Sequence, residues 1–383
     1  MSAEKVREVF DSTFHHQPRV FFSPGRINLI GEHIDYNDGF VMPAAIDKGL
    51  WFAVAANNTD KVNLYSVDLK ESYSTTLQDI QLVKGWQNYL LGIVDQVQKK
   101  QLNLGGFDCC FGGNLPVGAG LSSSAAVECG LLFALNEIFQ FQLSRVDIAL
   151  MGQQAEHTFP KVMCGIMDQF ASSMGKKEHV ILLDCQSLDY RYLPLKLEEY
   201  TLVLINSKVH HSLADGEYNK RRQQCQEGFS ILQSHLPEAK SFRDLTPQNV
   251  IDNKNFLDPV IFNRCLFVTE EIKRTQSAAT LLENNELKAF GKLMYDTHEG
   301  LSKLYEVSCP ELDFLVEKAR AGTSIIGSRL MGGGFGGCTL NLIEKKNWEA
   351  IIQNIIASYK EAFSIDAEVY KVGVGDGTYE IAQ

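Results

Sequence analysis

The chain has 383 residues, which at ~150 residues per domain allows two or three domains and a buried core that needs no covalent staple. Hydrophobic residues make up 45% and charged residues 22% of it, proportions that exclude a disordered or fibrous chain. With 36 Lys and Arg against 47 Asp and Glu the formal charge is −11, so non-specific nucleic-acid binding is not expected, while local backbone N–H groups, Lys or Arg can still hold an anion.

Residues 1–10, MSAEKVREVF, are charged and amphipathic and lack the apolar core of a signal peptide. No apolar run approaches ~18 residues, so no membrane span is expected. The nine cysteines include no C-x-x-C pair and read as buried reduced thiols of a cytoplasmic protein; no His/Cys cluster has zinc spacing. Apolar runs alternate with turn residues over 20–54, with a buried strand over 50–56, and short strands are predicted at 62–65 and 73–77. A helix over 86–98, a strand over 107–112, a long apolar helix over 122–140 and a helix over 144–157 follow. Strands are predicted at 180–185 and 201–206, and charged helices at 217–236 and 258–286. Pro310 suits a first helical turn and Gly322 the residue past its end. A strand, a Gly-rich turn and a strand fill 323–344, before a helix over 348–364 and a last strand over 367–374. Strands and helices mix without regular alternation, which favours α+β over a doubly wound sheet. The expected boundary lies near 190–200, giving units 1–195 and 196–383.

Several segments carry chemistry. In SPGRINLIGEHIDYNDG (residues 23–39), Arg26, Glu32, His33 and Asp35 fall within ten residues, among Gly25, Gly31 and Gly39. Carboxylates and imidazole there suit a polyhydroxylated ligand; a surface loop with incidental ion pairs is the plainer alternative. In NLPVGAGLSSSAA (residues 114–126), Gly118, Ala119 and Gly120 keep the backbone free of bulk, and three serines precede the apolar helix. The first N–H groups of a helix lack internal partners and attract phosphate; a serine hydroxyl there can also ligate Mg²⁺. No G-K-[ST] occurs, so this is not a Walker loop, and an ordinary Ser cap remains the alternative. Glu156 ends a predicted helix, and its neighbour His157 reads as a surface or capping residue. In CGIMDQ (residues 164–169), Asp168 is either a helix-start or a buried functional carboxylate. Lys220, Arg221 and Arg222 form a basic run whose leading reading is a solvated helix face. In MGGGFGGC (residues 331–338), Gly332, Gly334 and Gly337 match G-x-G-x-x-G formally, but strand-like residues follow. That favours a tight turn over a dinucleotide loop.

Together and in this order, these segments resemble the GHMP small-molecule kinase family. PVGAGLSSSAA is similar to its phosphate loop and MGGGFGGC to its C-terminal Gly-rich motif. Residues 23–39, CGIMDQ and Gly216-Glu217-Tyr218-Asn219 resemble the members that phosphorylate galactose. The resemblance implies two α+β lobes with the active site between them: an N-terminal lobe with a mixed sheet and helices, and a ferredoxin-like C-terminal lobe. It implies transfer of the ATP γ-phosphate to the anomeric hydroxyl of α-D-galactose, with Mg²⁺, in the cytoplasm; a monomer is the default expectation, and charge and the lack of a long apolar run predict neither nucleic-acid nor membrane binding. By motif, Asp168 falls at the catalytic-base position and Arg26 at the one that stabilises the transition state. Glu32, His33, Ile34, Asp35, Gly165 and Tyr218 fall at sugar-contacting positions. Gly118, Ala119, Gly120, Leu121, Ser122, Ser123 and Ser124 fall on the ATP phosphate loop, Ser66 and Trp86 near the adenine, and Ser124 and Glu156 at the Mg²⁺ positions. Two rival readings are a kinase for N-acetylgalactosamine or arabinose on the same fold and a non-catalytic galactose sensor. A sensor would carry a damaged phosphate loop, whereas here the three serines are uninterrupted and Asp168 is present.

Overall fold

A computed structural model describes residues 1–116, 118–210 and 214–382; Val117, inside the Gly-rich segment, lies outside the described residues. Ser2 starts the first helix by accepting the Lys5 N–H at 3.3 Å, and α1 (Ala3–Phe14) lays Val6 and Phe10 on the first sheet. The chain then forms β1 (Arg19–Asn28), β2 (Phe40–Val41), β3 (Pro43–Ala56), β4 (Lys61–Ser66), β5 (Glu71–Thr76), α2 (Gln87–Lys99) and β6 (Phe107–Gly113). Helices α3 (Ser123–Phe139), α4 (Arg145–Thr158) and α5 (Met167–Met174) follow, then β7 (His179–Asp184), β8 (Tyr190–Pro194) and β9 (Tyr200–His210). Next come α6 (Ala214–His235), α7 (Pro247–Asp252), α8 (Pro259–Glu283), α9 (Leu287–Lys303) and α10 (Pro310–Ala321). The chain closes with β10 (Ile325–Leu330), β11 (Gly336–Glu344), α11 (Trp348–Phe363), β12 (Glu368–Val372) and β13 (Tyr379–Glu380).

The first sheet has the order β13-β1-β3-β6-β4-β5 and is antiparallel except where β4 runs parallel to β6. Helices α2, α3 and α4 cover one face, burying Phe52, Leu90, Val94, Leu131 and Leu135 in one apolar cluster. A capping box at Ser144 and Asp147 starts α4. The second sheet has the order β10-β11-β9-β12, all antiparallel. Numbered within that unit, its strands run 4-1-3-2 from β12 to β10, with α11 as the second crossover, which is the ferredoxin-like arrangement. β2, β7 and β8 make a third, small sheet. The fold is thus α+β in two lobes, as expected.

Two stitches hold the lobes in register. Arg329, fully buried in β10, donates to the carbonyls of Asn28, the last residue of β1, and of Leu29 just past it. From the far end of the chain, Thr378 is buried against β1 and α5. Its hydroxyl lies 3.1 Å from Ser23 Oγ and donates to the Ser172 carbonyl at 3.0 Å, and Arg145 donates to the Thr378 carbonyl at 2.8 Å.

The predicted elements recur with shifted ends. α1, α5, α7, α9, β8 and β13 correspond to no element expected from the pattern. All of α5 except Asp168 is buried, so it shows no apolar stripe, and α9 follows α8 after three residues. All nine cysteines are free, seven of them buried. No helix among the described residues is long and apolar enough to cross a membrane.

Candidate active site

β1 delivers Arg26 and α5 delivers Asp168. At Pro24/Arg26 the register of β1 against β3 shifts, and Gly25 sits in that irregularity. A Cβ there would lie 2.5 Å from Leu115 Cδ2 and 2.7 Å from the Leu121 carbonyl, so only glycine lets the strand lie against the Gly-rich loop. Arg26 N–H donates to the Leu121 carbonyl at 3.1 Å and its Nη1 to the Gly120 carbonyl at 2.6 Å. Its Nε and Nη2 grip Asp168 Oδ1 and Oδ2 at 2.8 and 3.0 Å, a bidentate fork that fixes both planes. Arg26 is buried, whereas the Asp168 side chain is 25% exposed, so the carboxylate faces a cavity.

The loop ahead of α3 turns through left-handed conformations at Gly118 (φ 71°), Gly120 (φ 70°) and Ser122 (φ 55°). Ser122 precedes the helix but makes no cap; its hydroxyl donates to Asp168 Oδ2 instead. The start of α3 is therefore left open, with its dipole and free N–H groups suited to an anion. Behind it lies Glu156, which burial and the charge of Asp168 push up to about 7 against the opposing influence of the nearby Ser124 hydroxyl. Gln169 Nε2 donates to Glu156 Oε2 at 2.6 Å and to Glu128 Oε2 at 3.0 Å. Burial and Glu156 raise Glu128 well above the carboxylate range. Glu128 Oε1 and Gln169 Oε1 are buried without a partner. Oxygen donors next to a phosphate cradle suit a hard cation. No group of three or more His, Cys, Asp or Glu among the described residues forms a ready cage, so phosphate and water would complete the shell, as is usual for Mg²⁺.

Beside the pair lies a small cavity lined by Arg26, Glu32, His33, Asp35, Cys164, Met167, Asp168, Tyr218, Gly332 and Gly333. Glu32 is buried and takes three donors: Arg329 Nη2 at 3.0 Å, Gly332 N–H at 2.8 Å and Asn28 Nδ2 at 3.0 Å. Burial works against its charge, yet Arg329 and Arg26 hold it below the usual carboxylate range. His33, at φ 62°, lies 2.6 Å by Nδ1 from the Tyr36 hydroxyl and 3.1 Å by Nε2 from the Gly333 carbonyl. Burial pushes its imidazole down to about 4. Burial, Asp168 and Glu32 push Asp35 up to about 7. Gly165 faces Asp35 so closely that a Cβ would lie 1.9 Å from Oδ2. Tyr218 closes one wall, with its ring 5.4 Å from His33 and 5.3 Å from Tyr36. Acceptors, donors and aromatic faces converging on a small cavity suit a polyhydroxylated ring.

Comparison with known proteins agrees with this geometry. A galactokinase galactose-binding signature matches residues 8–56, a GHMP kinase N-terminal domain residues 88–176 and a GHMP kinase C-terminal domain residues 278–361. A galactokinase of Clostridium acetobutylicum is 40% identical over 387 aligned positions, covering 100% of this chain and 98% of its own. The chain belongs to the galactokinase family. Another galactokinase, from Thermotoga maritima, is 37% identical over 94% of this chain and 99% of its own. The crystal structure of Lactococcus lactis galactokinase complexed with galactose superposes with a TM-score of 0.95 at 31% identity, over 99% of each chain. A Methanococcus jannaschii mevalonate kinase, at 19% identity and a TM-score of 0.65 over 94% of this chain and 99% of its own, shares the fold. Membership makes the chain an ATP-dependent sugar kinase.

Of the residues singled out from sequence, Arg26, Glu32, His33, Asp35, Asp168 and Tyr218 all meet at the cavity, and Gly165 packs on Asp35. The Ile34 side chain lies in the apolar core, so only its backbone is close. Ser66 and Trp86 flank Phe111: Ser66 pairs with it in the β4–β6 register and Trp86 packs on its ring at 5.3 Å. Both thus lie at the strand end that leads into the phosphate loop. His157 is neither free nor a helix cap; it lies 2.8 Å from the Cys164 carbonyl and holds the approach to α5. The basic run is not a uniformly solvated face. Lys220 is exposed, but Arg221 is buried, donating to the carbonyls of Tyr305 and Glu306 at 2.8 Å each, and Arg222 reaches the Met163 carbonyl at 2.7 Å. The residues from 332 to 335 form a tight turn: Gly334 has φ 78° and its Cβ would lie 2.2 Å from the Val307 carbonyl. Arg329 and Glu271 lie outside every motif of the sequence. Glu271, buried on α8, accepts the Gly31 N–H at 2.9 Å and so holds the turn that presents Glu32 and His33. A lone arginine in the apolar strand IIGSRL was a usable signal; Glu271 in a charge-rich helix was not.

Proposed function

We propose that the chain transfers the γ-phosphoryl group of ATP to the anomeric hydroxyl of α-D-galactose, giving α-D-galactose 1-phosphate and ADP. One observation carries the reading: the Arg26–Asp168 pair touches both the polar cavity suited to a polyol and the loop at the start of α3. Phosphoryl transfer depends on in-line positioning and charge neutralisation. In this reading Glu32, His33, Asp35 and Tyr218 hold the sugar so that its anomeric hydroxyl meets Asp168. The Asp168 carboxylate orients that hydroxyl and accepts its proton as the bond to phosphorus forms and the bridging oxygen leaves with ADP. Arg26 balances charge on the transferred group, and residues 118–124 cradle the ATP phosphates, with Ser66 and Trp86 on the adenine side. Ser124 and Glu156 would hold Mg²⁺, which supplies neutralisation of the phosphate oxygens when bound.

The division at 195/196 falls in the link between β8 and β9 and fits the two-lobe reading. Nine free thiols support a reducing compartment such as the cytoplasm. ADP release with Mg·ATP over galactose, N-acetylgalactosamine, arabinose and glucose tests the proposal. Galactose should be preferred; preference for another sugar would reassign the substrate, and release with none would favour a sensor.

A further inference from the structure

A row of hydrogen bonds runs from the sugar cavity into the core. It passes from His33 Nδ1 to the Tyr36 hydroxyl at 2.6 Å, to the Tyr305 hydroxyl at 3.0 Å and to Cys225 Sγ at 3.0 Å. Tyr305 and Cys225 are fully buried, so water does not supply alternative partners. The direction of every proton follows from one end. His33 Nε2 faces the Gly333 carbonyl at 3.1 Å, and a carbonyl only accepts, so Nε2 carries the hydrogen. Nδ1 then offers a lone pair and Tyr36 must donate to it. With its proton committed, Tyr36 accepts from Tyr305, and Tyr305 accepts from the Cys225 thiol. Burial keeps that thiol protonated, pushing it up to about 11. It also keeps the imidazole uncharged, outweighing the attraction of Glu32, while Arg221 and Arg329 add to the effect.

We propose that Tyr36 and Tyr305 are positioning residues that fix His33 as its Nε2–H tautomer, so that an N–H rather than a bare ring nitrogen meets the Gly333 carbonyl and holds the Gly332–Gly333 wall of the sugar cavity. The same wall carries the Gly332 N–H that donates to Glu32 at 2.8 Å, so a wall that His33 no longer holds loosens a carboxylate on the sugar cavity and weakens its fit to the substrate. Neither tyrosine hydroxyl need touch the sugar; they act through the ring of His33. The substrate side of this inference rests on the galactose reading, whereas the tautomer does not.

Long-range ¹H–¹⁵N spectra of protein labelled with ¹⁵N-histidine report the tautomer directly, with His33 assigned by its loss in His33→Asn. The parent should show Nε2–H. Tyr36→Phe and Tyr305→Phe remove one oxygen each and should shift His33 toward a tautomer mixture. They should also raise the galactose KM by about tenfold, the scale of one lost hydrogen bond, while kcat and the Mg·ATP KM stay within about twofold of the parent's, since the phosphate side is untouched. Cys225→Ser keeps a donor at the head of the row and should restore parent behaviour, where Cys225→Ala does not. An Nδ1–H parent, or an unchanged spectrum and galactose KM in both tyrosine variants, would overturn the proposal. If Tyr36→Phe does not fold, Tyr305→Phe and the parent spectrum decide. Should the parent phosphorylate no galactose, the substrate reading fails while the spectrum still settles the positioning.

Discussion

Replacing Asp168 by Asn separates chemistry from binding. The carboxylate accepts three contacts: Arg26 Nε on one oxygen, Arg26 Nη2 and the Ser122 hydroxyl on the other. An amide has one oxygen, and in either orientation its NH₂ group faces a donor of Arg26. Ser122 can turn its hydroxyl to accept, but one charge-assisted hydrogen bond is lost, worth ~1.5–3 kcal/mol when fully buried. The Asp168 side chain is 25% exposed and Arg26 keeps the Gly120 carbonyl, so the loss of stability should fall to about 1 kcal/mol. Turnover should suffer more. A positioned base contributes roughly 10²–10⁴-fold, or about 3–5 kcal/mol of barrier at 1.36 kcal/mol per decade. Calorimetry should find galactose and Mg·ATP still bound, a melt should show a folded protein, and a coupled ADP assay should show turnover down by that range. Turnover within about threefold of the parent, far short of the loss expected of a base, would refute the assignment and leave Asp168 an anchor for Arg26.

Asp35, held up to about 7, keeps a proton that the unfolded chain has released, so its contribution to stability falls as pH rises from about 4 to 7. Asp35→Asn should therefore gain stability relative to the parent at pH 8, on the order of 1 kcal/mol given its partial exposure, while its galactose KM rises; equal melting shifts at pH 5 and pH 8 would contradict this. Gly165→Ala places a Cβ 1.9 Å from Asp35 Oδ2 and should raise the galactose KM by tenfold or more while sparing the Mg·ATP KM. Ser124→Ala should increase the Mg²⁺ needed for half-maximal activity by about tenfold with galactose binding intact; an unchanged Mg²⁺ titration takes Ser124 out of the metal shell. Arg329→Met strands the buried Glu32 carboxylate and should cost ~3–5 kcal/mol in a denaturant melt, a drop that a Glu32→Gln partner change should partly reverse.

Much of the site could be read from the chain because its residues sit in short unbroken stretches. Glu32, His33 and Asp35 follow Gly31 in one turn, and Asp168 opens a helix a few residues after Gly165. The serines were legible as a phosphate loop, but their division of labour was not: Ser122 looks like a helix cap and instead binds a side chain 46 positions away. Long-range partners were invisible for the same reason. Nothing local ties Glu271 to Gly31, or Tyr305 to Tyr36, since both pairs meet only after α8 and α9 have packed. The α+β class followed from irregular alternation, whereas the pairing of β13 with β1 had no signal in a two-residue strand.

That pairing bears on how the protein is made. A nascent chain contains both Arg26 and Asp168 shortly before half of it has been translated. Yet the strand and helix that carry them are bridged by Thr378, whose hydroxyl and N–H both reach Ser172, 206 residues earlier. Until the ribosome has delivered that residue, Ser23 and Ser172 lack their shared partner, and the edge of β1 is left open to strangers. The alignment of the reacting groups is thus completed late in synthesis. A proteolytic clip just beyond β12 would leave every pocket residue in the molecule and still undo it.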